Sequence, residues 1–73
     1  MEHPTYSPAD GRTLAERRRA AGVTQDAIAA RVGVTRQALT RWEQSPALPY
    51  LKARKYLDAL TAAVEAEIPQ AIA

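Results

Sequence analysis

Basic side chains that could bind a polyanion are concentrated in the middle of this chain. Of the 73 residues, positions 11–55 hold all ten lysines and arginines against three acidic residues. Residues 1–10 and 56–73 are acidic, so the total charge of +2 conceals a strongly basic middle. This distribution indicates a polyanion-binding surface, although charge alone is equally typical of solvated helix faces.

The sequence contains few of the residues that catalysis or metal binding requires. The chain contains no cysteine, and its one histidine is His3, beside Pro4. Thiolate nucleophiles, disulfides and cysteine-ligated zinc are therefore excluded, and one histidine makes neither a metal site nor an acid–base pair. We expect no enzyme activity, metal or cofactor. No apolar run approaches the ~18–20 residues that span a bilayer, and no signal-peptide core begins the chain, which predicts no membrane association and a cytoplasmic location.

A chain of 8.0 kDa has room for one domain. Residues 1–9 lack periodicity and contain two prolines, so we expect a flexible N-terminal arm there. The domain is predicted at residues 10–68, with a tail at 69–73. No segment alternates at period two, so the predicted fold class is all-α, a compact bundle of four to five helices.

Capping residues mark the short helices. Asp10 or Thr13 is suited to cap the first helix, and Gly22 to end it in the left-handed conformation. Thr24 and Thr35 each precede a further short helix, and Gly33 lies in the tight turn between them. Two capped helices around a glycine turn have the layout of a helix-turn-helix, whose second helix enters the DNA major groove.

The stretch from Gly22 to Glu43 reads GVTQDAIAARVGVTRQALTRWE. It closely resembles the Cro/repressor-type helix-turn-helix domains, also called the XRE or lambda-repressor-like family. The shared pattern places an arginine four residues before the first glycine, then Gly-apolar-Thr-Gln, Ile-Ala, Val-Gly-Val-Thr and a helix ending in Trp-Glu. The resemblance covers about residues 12–60.

The resemblance implies a set of DNA-contacting residues on the two motif helices. They are Gln25, Thr35, Arg36, Gln37, Thr40 and Arg41. Gln25 matches a glutamine that contacts a DNA phosphate, and Thr35 to Gln37 match the start of the recognition helix. Arg41 lies one turn further, with Thr40 at the edge. Arginine pairs bidentately with guanine and glutamine with adenine. The alternative for Arg36 and Arg41 is that they contact phosphates without reading bases. The alternative for Gln25 is that it is a solvated residue of the first helical turn.

Other matching positions are structural. The family's core positions correspond to Ile28, Ala29, Val32, Val34, Leu39 and Trp42. Trp42 suits base stacking as well, but its spacing of three from Leu39 favours core packing. The resemblance also implies a salt bridge between Arg18 and Glu43, joining the first and third helices.

The C-terminal half departs from the family, which often has a glycine and then a fifth helix. Here apolar residues continue at helical spacing without a break, which predicts one helix from about Pro49 to Glu67. Val64 and Ile68, on its far part, are expected to lack an intramolecular partner, so we expect this helix to form a homodimer. The alternative is that the last turns fray.

The leading functional hypothesis is a sequence-specific, double-stranded-DNA-binding transcriptional regulator. It would be a small dimeric repressor that acts by promoter occlusion on a two-fold symmetric operator. The first alternative is the antitoxin of a toxin–antitoxin pair, which holds a toxin protein through the acidic, apolar tail from Val64 to Ala73. The second is a protein–protein interaction module of this fold, against which Arg36, Gln37 and Arg41 argue.

Overall fold

The protein is all-α. The computed structural model describes residues 9–67. Its helices are α1 (Gly11–Ala20), α2 (Gln25–Val32), α3 (Arg36–Gln44) and α4 (Tyr50–Glu67). The predicted fold class is confirmed, and the predicted long C-terminal helix is present as α4. No fifth helix occurs within the described range.

Polar side chains cap the N-termini of the three short helices. Asp10, rather than Thr13, caps α1, and its carboxylate accepts a hydrogen bond from the main-chain N–H of Arg12 at 3.1 Å. Thr24 and Thr35 cap α2 and α3 as predicted. Each hydroxyl oxygen accepts from the N–H three residues later, at 3.1 and 3.0 Å. These bonds satisfy amides that the helices leave without an internal partner.

Glycines with positive φ end α1 and α2. Gly22 has φ of 73° and Gly33 has φ of 90°, in the left-handed region that costs glycine least. After α1, the N–H of Val23 donates to the carbonyl of Arg18 at 3.1 Å, and the N–H of Gly22 to that of Arg19 at 3.0 Å. This pair of bonds is a Schellman motif, and it turns the chain tightly from α1 into α2.

The core forms where α4 and α1 cover the two motif helices. Its buried members are Leu14, Val23, Ile28, Ala29, Leu39, Leu48, Ala53, Tyr56, Ala59, Leu60 and Ala63. The predicted core positions Ile28, Ala29 and Leu39 are among them. The other three, Val32, Val34 and Trp42, are partly buried against the same cluster, so core packing of the tryptophan is confirmed.

The start of α1 is held tightly against the end of α3. The N–H of Gly11 donates to the carbonyl of Ser45 at 2.8 Å, and a Cβ at Gly11 would overlap the carbonyl oxygen of Trp42. Ala9 and Leu48 pair in an isolated antiparallel bridge, with N–H···O distances of 2.9 and 2.7 Å. Ala9, the last residue of the predicted arm, is therefore fixed to the domain, while residues 1–8 lie outside the described range.

The far part of α4 does not present a free apolar stripe. Ala63 is buried, and Val64 packs against the core cluster. The expectation that Val64 lacks an intramolecular partner was wrong, because α4 lies along α2 and its last turns still reach the core. Ile68 lies outside the described residues. No helix within residues 9–67 is long and apolar enough to cross a membrane.

Candidate nucleic-acid interface

The face of α3 opposite the core is polar and exposed. Arg36, Gln37 and Arg41 are all exposed, while Leu39 on the inner face is fully buried. Because residues one turn apart share a helix face, Gln37 and Arg41 project side by side. Three of the predicted base-contacting side chains are therefore accessible on α3, with Gln37 and Arg41 on one face and Arg36 to its side, next to Asp26 of α2.

These three side chains differ in their surroundings. Arg36 forms an exposed ion pair with Asp26 of α2, with Nε and Oδ1 at 3.7 Å. Gln37 and Arg41 make no hydrogen bond or ion pair with any residue in the described part of the chain. Thr35 uses its hydroxyl oxygen as the cap of α3, and its hydroxyl proton is left for an outside acceptor.

Gln25 and Thr40 are bonded to each other rather than simply facing outward. The Gln25 side-chain amide Nε2 donates to Glu43 Oε1 at 2.9 Å and to Thr40 Oγ1 at 3.3 Å. The Thr40 hydroxyl in turn donates to the carbonyl of Arg36 at 3.0 Å. Both side chains are half-buried, and their hydrogen bonds link the start of α2 to α3. Because the side-chain amide of Gln25 donates inward, the donors left at the start of α2 are main-chain N–H groups of its first turn.

A buried polar cluster fixes α3 from behind. Arg18 Nε donates to Glu43 Oε2 at 2.8 Å, and Arg18 Nη2 donates to Glu43 Oε1 at 3.3 Å, which confirms the predicted salt bridge. The Tyr56 hydroxyl donates to Glu43 Oε2 at 2.5 Å. Together with Gln25, these bonds attach one carboxylate of α3 to α1, α2 and α4.

Two members of this cluster, Tyr56 and Gln25, were not predicted from the sequence to bond to Glu43. In the sequence, Tyr56 is one of the residues at helical spacing in the C-terminal half, and the hydroxyl of a tyrosine needs a partner when it is buried. Gln25 was assigned outward to DNA, and nothing in the spacing of Gln25 and Glu43 indicated a bond between them. The signal available for Tyr56 was its polar hydroxyl among apolar residues on the same face of a helix, because a buried hydroxyl requires a hydrogen-bond partner.

The cluster keeps its charges in the folded protein. Burial raises the pKa of Glu43, but hydrogen bonds from Arg18, Tyr56 and Gln25 outweigh burial and hold the pKa below its ordinary value. The hydrogen bond to Glu43 raises the pKa of Arg18. Burial, followed by the bond to Glu43, raises the pKa of Tyr56. Glu43 is therefore ionised and Tyr56 protonated at neutral pH.

The similarity of this chain to known proteins lies at the level of a family. No curated protein and no solved structure is significantly similar to this chain. The sequence matches the family described as "Helix-turn-helix domain" over residues 11–70, a span that contains all four helices. The matched region includes the capped helices α2 and α3 and the exposed face of α3. On this match, the chain belongs to the helix-turn-helix domain family, of the Cro/repressor (XRE) type, and carries its DNA-binding domain.

Proposed function

We propose that this protein is a sequence-specific, double-stranded-DNA-binding transcriptional regulator in which α3 is the recognition helix. The observation that carries the proposal is that Arg36, Gln37 and Arg41 are all exposed on a helix whose inner side is fixed to the rest of the domain. Arginine and glutamine are the side chains that pair bidentately with guanine and adenine in the major groove. Thr35, at the start of α3, is assigned with Arg36 and Gln37 to the base-reading end of this helix, and Gln25 is assigned a phosphate contact at the start of α2.

The proposed mode of regulation is repression by promoter occlusion. A small domain that is bound at a promoter excludes other proteins from the same DNA by its volume alone. One recognition helix spans only a few base pairs, so useful specificity calls for two copies on a two-fold symmetric operator. Centres of the half-sites are then separated by about 34–36 Å, or one turn of B-DNA.

The proposed dimer is supported by this operator argument rather than by the end of α4. Because Val64 packs on the protein's own core, it gives no reason to place the interface there. Sedimentation of the chain with a one-half-site and a two-half-site duplex tests the dimer directly. We expect two protein copies on the longer duplex with cooperative binding. Independent binding of the two copies would contradict it.

The antitoxin alternative rests on the acidic end of the chain, where Glu65 and Glu67 precede residues outside the described range. A toxin held there would copurify as a second small protein when the natural operon is expressed. Purification of the chain alone from that operon would remove this alternative. A protein-interaction module without DNA binding is the third candidate, and the exposed arginines on α3 argue against it.

Selection of bound sequences from a random double-stranded DNA pool tests the function. We expect enrichment of a short motif, repeated with two-fold symmetry. Recovery of unenriched sequence after several rounds would contradict sequence-specific binding. Repeating the selection with Arg36→Ala shows whether α3 is responsible, because that variant should lose preference at one position of the motif.

A further inference from the structure

A cleft of about 520 Å³ lies between α1 and α3, beside the exposed face of α3. Arg12 and Arg19 line it from α1, while Thr40 and Gln44 line it from α3. Gln25 contributes from the start of α2. The cleft therefore borders the residues that the family resemblance assigns to DNA, but its basic side chains come from a helix outside the motif.

The cleft has a positive charge that the described residues do not neutralise. Arg12 and Arg19 are seven positions apart, or about two turns, so they project on the same side of α1. Both are exposed, and neither side chain forms an ion pair or hydrogen bond with any of residues 9–67. Two arginine side chains on one wall of a cleft are suited to bind an anion with oxygens at several positions, such as a phosphodiester chain.

The two carboxylates at the cleft are already engaged. Asp10 accepts the N–H of Arg12 as the cap of α1. Glu43 is paired with the buried Arg18, so its charge is offset within the domain. The charged groups that remain on the cleft walls are therefore the two exposed arginines and the single Asp10 carboxylate, which leaves a net positive charge.

The geometry of DNA puts a phosphate strand next to this cleft. An α-helix with its side chains is about 10–12 Å across and the major groove is about 12 Å wide, so a sugar–phosphate strand passes on each side of a docked helix. The cleft runs along the α1 side of α3. When the exposed face of α3 enters the groove, the strand on that side meets the walls carrying Arg12 and Arg19.

We infer that Arg12 and Arg19 form a phosphodiester-binding site for the DNA strand that flanks α3 on the α1 side. This inference rests on the proposed DNA-binding function and extends the contact surface beyond the helix-turn-helix motif. The site positions the domain on the duplex and does not distinguish bases, because phosphates carry no direct sequence information.

The test is a salt titration of the full chain on the duplex obtained from random-pool selection. Arg12→Ala and Arg19→Ala are compared with Arg17→Ala, which removes the same charge from an exposed position of α1 outside the cleft. Each neutralised phosphate contributes about −0.9 to the log–log slope of affinity against salt. Each cleft variant should therefore reduce the steepness by about 0.9, and the double variant by about 1.8. Arg17→Ala should leave the slope unchanged.

The same result can be expressed as affinity. Between 50 and 200 mM salt, one phosphate contact accounts for about a 3.5-fold loss of affinity. Over this range, the factor by which affinity falls should therefore be about ten times smaller for the double variant than for the unaltered chain. Its preference for the selected over a scrambled duplex should not change. Equal slopes for the cleft variants and the unaltered chain would overturn the site. An equal effect of Arg17→Ala would overturn its localisation to the cleft.

Neutralising single phosphates locates the contact on the DNA. Methylphosphonate substitution at the strand flanking the motif should weaken binding of the unaltered chain at one or two positions, and the Arg12→Ala/Arg19→Ala variant should be insensitive at those positions. Sensitivity that persists in the variant would contradict the inference. If the unaltered chain shows no preference for any duplex, the proposed function fails. If the preference is intact but the slopes are equal, the cleft site alone fails.

Discussion

The hydroxyl of Tyr56 donates to Oε2 of Glu43 at 2.5 Å, and this bond attaches the long C-terminal helix α4 to α3. Tyr56 is fully buried, while Glu43 also receives Arg18 and Gln25. Through this one carboxylate, α3 is hydrogen-bonded to α1, α2 and α4 behind its exposed face. Glu43 therefore joins the helix that carries the proposed DNA-contacting side chains to the other three helices.

Tyr56→Phe should destabilise the protein by about 1.5–3 kcal/mol, because a hydrogen bond to a charged group is lost from the interior. Urea unfolding monitored by circular dichroism measures the change. The raised pKa of Tyr56 adds stability that is present below the ordinary tyrosine pKa, about 10, and is lost as the pH rises above it. The phenylalanine variant should lack this alkaline loss. An equal alkaline loss in both proteins would contradict the assignment.

Glu43→Gln should destabilise the protein by about 3 kcal/mol at pH 7, because Arg18 keeps a buried charge without its partner. The pKa of Glu43 is lowered in the folded protein, so its contribution is present above the ordinary glutamate pKa and is lost as the pH falls through the lowered value. The difference in unfolding free energy between the two proteins should therefore shrink below about pH 4.3. A difference that is constant down to pH 2 would argue against an ionised Glu43.

Gly11→Ala should cost about 3 kcal/mol or more of unfolding free energy, because its Cβ would overlap the carbonyl of Trp42 and lie 2.9 Å from that of Ser45. Gly22→Ala is the comparison, since it meets no atom within 4 Å and costs only the left-handed conformation, about 1–2 kcal/mol. Thermal unfolding of both variants shows which of them loses more unfolding free energy. A larger loss at Gly22 would contradict the close approach of α1 to α3.

Gln25→Ala should weaken binding to selected and scrambled duplexes by the same factor, about tenfold. The change removes the amide that holds the start of α2 to Glu43 and Thr40, and so loosens the phosphate-facing turn without touching base edges. Fluorescence anisotropy on both duplexes measures the two affinities. A change in the preferred sequence would show that Gln25 contacts a base.

The short-range signals in the sequence predicted the fold well. Thr24 and Thr35 cap their helices and Gly22 ends α1, because each of these structures depends on one residue and its immediate neighbours. The Arg18–Glu43 pair was predicted through the family resemblance, and the uninterrupted stripe predicted α4. Among the predicted DNA contacts, Arg36, Gln37 and Arg41 are all exposed on α3.

What the sequence did not predict depends on contacts between distant positions. The requirement for glycine at residue 11 arises only where α1 crosses the end of α3. Val64 was expected to be unpartnered because its spacing defines a helix face but not how far α2 extends beside it. The inward bonds of Gln25 and Tyr56 likewise depend on the angle between helices, which no local pattern encodes.

The measurement that tests the central claim most directly is the affinity of Arg36→Ala and Gln37→Ala for the selected duplex and for duplexes altered at single base pairs. Each side chain is exposed, so the fold should be unaffected. Each variant should lose about 1–3 kcal/mol on the selected duplex and become indifferent to one base position, while the other positions keep their preferences. Uniform weakening on every duplex, with all preferences intact, would show that α3 contacts phosphates only and would contradict base recognition by this helix.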